Sequence, residues 1–330
     1  MNQLEKEAIN KLLADRPDLI CEQLYTRSLK KVQKIISMPA WKDPKFQGLL
    51  TSTIWNNSNA EEAKKILSMP AWKDPKYAEL LTPGIWQSNA EEVKKILGMP
   101  EWEDARFVGL LTSNIWNSNA QEVQEIISMS EWKDPKFVEL LTSSIWKSNA
   151  KEVQKILSMP EWEDARFTGL LTSNIWKSNA EEVKKILSMP EWEDARFADL
   201  LTSNIWKSNA KEVEEKLHLK YWNDSRYEHL LRPSIFANSI SNIHRGIELL
   251  EQYGISQYIT NRSLRRNQEQ QKELLEYMVN NKIDLVVENM DGTKRLNPML
   301  NASNTVLRKQ YHIDVKSLVQ KKKEEFERDE

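Results

Sequence analysis

The sequence predicts an all-α fold: an α-solenoid of two-helix repeats of about 30 residues, with a small β-hairpin near the C-terminus. Two observations carry this prediction. The 13 tryptophans fall in two series that advance by 30 or 31 residues per step, and a fixed short period is typical of repeats that pack only on their neighbours. The apolar residues between them recur at helical spacing. The two series are Trp41, Trp72, Trp102, Trp132, Trp162, Trp192 and Trp222, and Trp55, Trp86, Trp116, Trp146, Trp176 and Trp206.

The first helix of each repeat is predicted to begin at a recurring aspartate. In the copy that ends at Trp222, Asp194 suits the N-cap and Ala195 suits the first helical position. Phe197 and the following leucine pair, Leu200 and Leu201, would then share one helix face. This helix should end near the next Thr-Ser pair, because those residues favour turns.

The second helix is predicted to begin at each Ser-Asn-Ala triplet. At Asn179, for example, Glu182 follows three residues later, and this spacing resembles a capping box. The helix should end near the Met189-Pro190 pair, because the residue before a proline is disfavoured in helical geometry. Neither helix is long enough to be stable alone, so we expect the copies to stack and bury their apolar faces in one core.

The repeats divide the chain into four predicted segments. Residues 1–41 form an N-terminal cap with a degenerate repeat, and residues 42–222 hold six near-identical repeats. Residues 223–315 contain degenerate repeats and a C-terminal cap, and residues 316–330 form a charged tail. Within the cap, residues 285–297 predict a hairpin around Asp291-Gly292, a tight-turn signal. We expect a right-handed solenoid of about nine units, on the order of 80 Å long.

Composition narrows the class of protein. Hydrophobic residues make up 40% of the chain and charged residues 29%, which is ordinary for a soluble protein. No apolar stretch reaches the length of a membrane span, and the N-terminus lacks the apolar run of a signal peptide. The single cysteine, Cys21, can form no internal disulfide and favours a reducing compartment. We therefore expect a cytoplasmic monomer that does not engage membranes.

The sequence offers little for catalysis. None of the four histidines has metal-ligand spacing, and Cys21 has no evident partner for nucleophilic chemistry. The eight glycines form no phosphate-binding loop. We therefore expect no enzyme activity, no metal, no cofactor and no small-molecule substrate. The histidines are His218, His229, His244 and His312.

The tryptophans allow two interpretations. They can be buried spacers between repeats, because tryptophan buries a large area and packs well at corners. Alternatively, they can be exposed platforms on which nucleic-acid bases stack. The isoleucine that precedes each tryptophan of the second series, as at Ile205, indicates that this corner points inward.

The copies differ most informatively just before the Ile-Trp pair. That position always holds a small or turn-forming residue, but its identity changes between copies. One interpretation is drift after duplication, with Asn or Gly ending a helix. The other is a row of reader residues, each of which contacts one base of a nucleic acid. The candidate readers are Thr53, Gly84, Asn114, Ser144, Asn174, Asn204 and Ser234.

The segment after the tryptophan indicates how a phosphate would be held. The helix that follows would present its N-terminal amides to an anion. Lys147, Lys177 and Lys207 stand just before that helix in their copies and could assist. These three lysines are therefore candidate nucleic-acid contacts.

Residues 172–187, TSNIWKSNAEEVKKIL, resemble the middle of a TAL-effector-type DNA-binding repeat. In that family a serine and a variable residue cap the first helix, and a helix with an A-x-x-V pattern follows. The resemblance implies that the seven candidate readers face bases. The present unit is shorter than that family's, lacks its Gly-Gly pair and keeps isoleucine at the second variable place.

Residues 230–255, LLRPSIFANSISNIHRGIELLEQYGI, are similar to a repeat of the mitochondrial transcription termination factor (mTERF) type. The similarity rests on a leucine-rich two-helix unit with proline at the loop and glycine at the end of the second helix. Such proteins bind nucleic acid along a concave basic groove, so the resemblance implies the same class of ligand.

Charge gives mixed indications about a nucleic-acid ligand. Residues 103–132 hold one basic and five acidic residues, so the central repeats are mildly acidic, and the net charge is −2. Towards the C-terminus, Arg262, Arg265 and Arg266 have the spacing of one helix face. That face is either solvated or a phosphate contact.

We therefore favour a non-enzymatic, modular nucleic-acid-binding protein, with DNA preferred over RNA, that reads its ligand through one loop residue per repeat. The alternative is a scaffold for protein–protein interactions that uses the concave face, which the acidic middle favours. The two differ in salt response, because nucleic-acid binding weakens steeply as salt rises.

Overall fold

The computed structural model describes residues 2–57 and 59–301. Within these ranges the chain is mostly helical, with a two-stranded antiparallel sheet near the C-terminal end, which confirms the predicted helical class and the hairpin. The α-helices are α1 Gln3–Leu12, α2 Leu29–Ile36, α3 Pro44–Gln47, α4 Ile54–Asn57, α5 Ala60–Leu67, α6 Ala90–Leu97, α7 Ala105–Val108, α8 Ala120–Ile127, α9 Ala150–Leu157, α10 Ala180–Leu187, α11 Ala210–Leu217, α12 Ile240–Gln252, α13 Gln268–Asn280 and α14 Pro298–Asn301.

Each regular copy contains one α-helix of eight residues and three shorter turns, mostly 3-10 helices, instead of the two α-helices predicted. The first helix of the prediction is a single short turn, 3-10 in most copies, that ends before the Thr-Ser pair. The turns around the first tryptophan series are Pro39–Lys42, Pro70–Lys73, Pro100–Glu103, Ser130–Lys133, Pro160–Glu163, Pro190–Glu193 and Lys220–Asn223. The turns that follow them are α3, Pro75–Leu80, α7, Pro135–Leu140, Ala165–Leu170, Ala195–Leu200 and Glu228–Leu230. The turns around the second series are α4, Pro83–Gln87, Ser113–Asn117, Ser143–Lys147, Ser173–Lys177, Ser203–Lys207 and Pro233–Ala237.

The turn after each aspartate stays short because a tight bend stops it. Asp194 caps the turn as predicted, and its side chain accepts from the backbone amide of Arg196. Leu201 then adopts φ −69° and ψ 73°, and the amide of Thr202 donates to the carbonyl oxygen of Leu200 over 2.7 Å. This is an inverse γ-turn, which a helix cannot pass through. The apolar spacing of three suits a 3-10 turn as well as an α-helix.

The eight-residue helices begin and end where the sequence predicts. At α6, the Asn89 side chain accepts from the backbone amide of Glu92 over 3.0 Å. After the helix, Met99 takes φ −72° and ψ 127°, the extended geometry expected before Pro100. The apolar residues of each such helix face inward, as Val153 and Ile156 of α9 do. Burial of this face supplies stability that a helix of two turns lacks by itself.

The residues group into two compact units. Unit 1 comprises residues 1–163 with 171–184, and unit 2 comprises residues 164–170 with the chain from 185 onward. In unit 1, α2, α5, α6, α8 and α9 contact one another in that order. In unit 2, α11 contacts α12, and α12 contacts α13. Within each unit, successive copies are thus neighbours in space.

The hairpin lies within the predicted residues 285–297. Strand β1, Val286–Glu288, pairs antiparallel with β2, Lys294–Leu296, and Val286 is opposite Leu296. Gly292 has φ 79°, a conformation that side chains other than glycine rarely adopt. The predicted charged tail, residues 316–330, lies outside the described residues. In the described part, no helix is both long and apolar enough to cross a bilayer.

Candidate binding surface

The second tryptophan series joins neighbouring copies. The indole Nε1–H of Trp116 donates to the carbonyl oxygen of Leu80, 36 residues earlier, over 2.8 Å. Every ring of the series is at most 3% exposed, so the packing interpretation is confirmed and the stacking-platform interpretation is wrong. The same bond, also 2.8 Å long, recurs for Trp55 to Leu19, Trp86 to Leu49, Trp146 to Leu110, Trp176 to Leu140 and Trp206 to Leu170.

Tryptophans of the first series cap the C-terminal ends of the α-helices. The Nε1–H of Trp102 donates to the carbonyl oxygen of Ile96, six residues earlier in α6, over 2.6 Å. Carbonyls in the last turn of a helix have no helical partner, so the indole satisfies one of them. Except for the half-buried Trp41, these rings are buried too. Apart from Trp41, the rings of the two series are thus inaccessible to a stacking ligand.

The variable positions before Ile-Trp form a row in unit 1. The turns that carry Gly84, Asn114, Ser144 and Asn174 contact one another in sequence order, and α4, which follows Thr53, contacts the first of them. We call these five residues the variable row. Thr53 and Asn114 are exposed, whereas the other three are half-buried. Every position of the row is therefore at least partly accessible to a partner.

The same position in unit 2 is built alike. Asn204 and Ser234 lie in neighbouring turns and are half-buried. The Asn204 side-chain amide donates to the Thr202 hydroxyl over 3.5 Å. In unit 1, Ser144 and Thr142 exchange a hydrogen bond of 2.7 Å in the corresponding place. The preceding threonine thus positions the variable side chain.

Two of the three predicted lysines lie beside a predicted reader. The ammonium group of Lys177 donates to Asn174 Oδ1 over 2.9 Å, and that of Lys207 donates to Asn204 Oδ1 over 2.6 Å. Lys147 is exposed, and within the described ranges it makes no ion pair. The structure thus brings lysine and reader together, and in two copies the amide oxygen of the reader is already occupied.

The N-termini of α6, α8, α9 and α10 are occupied by glutamate carboxylates and are not open to a phosphate. The amide of Ala120, the first residue of α8, donates to Glu92 Oε2 of the preceding copy over 2.6 Å. Asn119 accepts from a second amide, that of Glu122, over 2.9 Å. A carboxylate at this place repels an incoming anion. The glutamates that cap the next helix in this way are Glu62, Glu92, Glu122 and Glu152, bonded to Ala90, Ala120, Ala150 and Ala180.

Two predictions are corrected by these caps. The asparagine half of the predicted capping box is confirmed. The glutamate half is not: the glutamates of α5, α6, α8 and α9 bond to the first amide of the next copy's helix and not to their own N-cap. The physical reason is that stacking brings the next helix start within reach, and an amide there lacks a helical partner. The proposed use of these amides for a phosphate is wrong for the same reason.

The three C-terminal arginines do not share a helix face. The helix begins only at Gln268, since Asn267 caps it. Arg265 ends a short 3-10 turn that Arg262 precedes, and Arg266 is extended, with φ −79° and ψ 148°. Arg262 and Arg265 are exposed. Arg266 turns inward: its Nη2 donates to the carbonyl oxygen of Met299 over 2.9 Å, and burial lowers its pKa to about 10.

Ion pairs between copies were missed by sequence reasoning. Lys76 lies 2.6 Å from Glu103, and Lys136 lies 2.5 Å from Glu163, each 27 residues further on. In unit 2, Arg166 pairs with Glu193 over 2.8 Å. In each pair the basic residue and the glutamate are separated by slightly less than one repeat, and this recurring spacing is the feature of the sequence that could have predicted them. Because these basic side chains are already paired with glutamates, their charge is partly neutralised and less available to a polyanion.

No group of three or more His, Cys, Asp or Glu side chains is arranged to hold a metal ion in the part of the chain that the structure describes. The Nε2 of His218 lies 2.6 Å from Glu191, and the Nδ1 of His244 lies 3.0 Å from the hydroxyl of Tyr221. These histidines thus have structural partners.

No protein-family model, curated protein or solved structure matches this chain. The resemblances to TAL-effector-type and mTERF-type repeats therefore stay predictions.

Proposed function

We propose that the protein is a non-enzymatic scaffold, an α-solenoid whose stacked copies bind an extended segment of a partner protein along the variable row. The observation that carries this proposal is the row itself: Thr53, Gly84, Asn114, Ser144 and Asn174 lie on consecutive, contacting turns of a nearly constant framework. A constant framework with one changing polar position per copy suits recognition of a linear ligand.

The chemistry of the row matches a polypeptide backbone. Amide side chains such as those of Asn114 and Asn174 both donate and accept hydrogen bonds, and hydroxyl groups such as that of Ser144 do the same. Each peptide group offers one donor and one acceptor. Helices pack about 8–10 Å apart, so one copy corresponds to about three residues of an extended chain at about 3.3 Å per residue.

The charges around the row favour a polypeptide over a polyphosphate. A glutamate carboxylate occupies the start of α6, α8, α9 and α10. Exposed acidic residues such as Glu79 and Glu139 belong to the same copies. A phosphodiester backbone, which carries only negative charge, would meet these carboxylates without enough free cations.

Nucleic acid, with DNA preferred over RNA, is the second candidate. It is supported by the contacts of Lys177 with Asn174 and of Lys207 with Asn204, which place a cation beside a polar reader. The TAL-effector-type and mTERF-type resemblances imply the same ligand. In this case Asn174→Ser would alter base preference at one position, and binding would weaken steeply as salt rises.

Selection from two libraries tests the proposal. The protein is presented with a randomised peptide library and with a pool of randomised duplex DNA. We expect enrichment of peptides whose affinity falls about ten-fold or more in the Asn114→Ala, Ser144→Ala double variant, because two central side chains of the row are removed. Val138→Ala, which alters an exposed residue outside the row, should have no effect.

Two outcomes contradict the proposal. If only the DNA pool is enriched and the bound sequences change with Asn174→Ser, the ligand is nucleic acid. If peptides are enriched but bind the double variant unchanged, the row is not the binding surface.

A further inference from the structure

A second surface with strong positive charge lies at the opposite ends of the helices in unit 1. The last turns of α2, α5 and α6 carry five lysines, and the turns that follow α2 and α5 add two more, all exposed. Since these three helices are consecutive neighbours, their lysines form one surface. We call it the lysine surface: Lys34, Lys42, Lys64, Lys65, Lys73, Lys94 and Lys95.

Among the described residues, only two of these lysines have an ion-pair partner. Lys65 lies 3.8 Å from Glu62, and Lys95 lies 3.7 Å from Glu92. Both glutamates also cap the next helix, so these are long, shared contacts. The other five lysines make no ion pair with any residue in the described ranges. The positive charge of the surface is therefore available to a partner.

The fold does not require this density of lysines. One cation near a helix C-terminus stabilises the helix modestly, yet α8 has no basic residue in its last turn. There the equivalent positions are Gln124 and Glu125, and in α9 the first of them is Gln154. The lysines in the last turns of α2, α5 and α6 are thus additional to what such a helix needs.

A second difference between copies increases the charge of this surface. In later copies the turn after the helix carries a glutamate, and Gln124 Nε2 donates to Glu101 of that turn over 2.5 Å. In the first two copies, Ala40 and Ala71 stand at the equivalent place. The first two copies therefore lack the carboxylate that accepts from Gln124 in a later copy. Lys64 and Lys94 stand where α8 and α9 carry Gln124 and Gln154.

We propose that the lysine surface binds an acidic segment of a protein partner. Opposite charge supplies the attraction, and the spacing of about 8–10 Å between helices means that about six residues of an extended chain span all three. This surface lies at helix C-termini, whereas the variable row precedes helix N-termini, so the two can act separately.

The composition of the three helices favours an acidic polypeptide over the other polyanions. The three helices contain no arginine, the residue that binds phosphates through bidentate hydrogen bonds. They also contain no aromatic residue on which a base could stack. Their apolar residues are buried or half-buried, so a lipid surface would gain no inserted apolar side chain. Lysine point charges suit carboxylates held on a flexible chain.

Fluorescence anisotropy with a labelled peptide of alternating glutamate and glycine tests the proposal. The full chain should bind this peptide, and rising salt should weaken the binding. An oligothymidylate and phosphatidylserine vesicles are tested as competitors. The critical variant is Lys64→Gln with Lys94→Gln, which copies the glutamines at positions 124 and 154 and should therefore fold normally.

We expect the affinity for the acidic peptide to fall about two- to five-fold for each lysine replaced. Lys151→Gln is the matched control, because it copies Gln121 on a neighbouring helix outside the surface, and it should leave the affinity unchanged. The Asn114→Ala, Ser144→Ala variant should also bind normally, which separates this result from the fate of the variable row. Equal affinity of the Lys64 and Lys94 variant and wild type, or tighter binding of the oligothymidylate or the vesicles, would overturn the proposal.

Discussion

The indole of Trp146 and the backbone of Leu110 lock two copies together. The Trp146 Nε1–H donates to the Leu110 carbonyl oxygen over 2.8 Å, and the same oxygen accepts from the amide of Thr112 in an inverse γ-turn. The carbonyl oxygen at the bend that ends one copy's short turn is thus the buried acceptor for the next copy's tryptophan. At the end of the series, Asn261 Nδ2 donates to the equivalent oxygen of Leu230 over 2.7 Å.

Trp146→Phe should destabilise the protein by about 0.5–1.5 kcal/mol, because the buried Leu110 carbonyl loses one of its two donors and keeps only the Thr112 amide. Phenylalanine is tolerated sterically at this place, since Phe236 stands there in a later copy and is only 2% exposed. Urea denaturation followed by circular dichroism measures the change. A free energy of unfolding equal to that of wild type would show that the bond is unimportant.

Glu92→Ala should cost about 0.5–2 kcal/mol, the usual range for a lost N-cap, because the Ala120 amide loses its acceptor. Glu91 is exposed and has no such role, so Glu91→Ala is the matched control and should be nearly neutral. Thermal unfolding of both variants checks this. Equal destabilisation by the two variants would refute capping between copies.

Lys216→Ile should stabilise the protein by about 1–4 kcal/mol at neutral pH, as replacement of a buried charge by a packed apolar side chain often does. Lys216 is 2% exposed, and its ammonium group donates to Ser208 Oγ at 2.7 Å and lies 3.8 Å from Glu212. Isoleucine occupies the equivalent place in earlier copies, for example Ile186. Ile186→Lys, the reverse change, should destabilise.

The advantage of Lys216→Ile should also depend on pH. Burial lowers the pKa of Lys216 below its ordinary value of 10.5, so the unfolded chain holds this proton more tightly than the folded chain. Wild-type stability therefore gains from Lys216 deprotonation as pH rises through the interval between the lowered pKa and 10.5. The difference between variant and wild type should shrink over that interval. A constant difference across alkaline pH would contradict the burial of a charged amine.

The stability difference between wild type and Asp194→Asn should shrink as pH falls, whereas that for Lys216→Ile shrinks as pH rises. Hydrogen bonds from the Arg196 side chain and backbone lower the pKa of Asp194 below its ordinary 3.8, so the carboxylate stabilises the fold above that value and loses this effect as pH falls towards the lowered pKa. Asparagine keeps a capping acceptor but has no charge. The stability deficit of the variant at neutral pH should vanish in acid. Asp199→Asn, at an exposed position, is the matched control and should leave the stability at neutral pH nearly unchanged.

The sequence alone was sufficient for whatever depends on local chemistry. The asparagine caps, the helix ends before Met-Pro and the hairpin at Asp291-Gly292 were all predictable, because each is decided within a few residues. The buried tryptophans were also predictable from the isoleucine beside them.

Contacts between copies were not predictable, since they depend on distances that periodicity does not give. Glu92 has two amides within reach, and only the stacking of copies selects Ala120. The spacing of Arg262 and Arg266 suits a helix, but Asn267 is the stronger start signal and leaves both outside it. The replacement of isoleucine by lysine at position 216 is visible when the copies are compared, but its burial is not.

Distances between spin labels test most directly whether the variable positions form one row. Cysteine pairs at Gly84 and Ser144, at Thr53 and Ser144, and at Thr53 and Asn174 are labelled in a chain with Cys21→Ser, and electron–electron dipolar coupling is measured. Separations should rise steadily from about 20 Å for two copies to about 40 Å for four. Distances that do not increase with copy number would show that these residues share no line, and the binding row would be excluded.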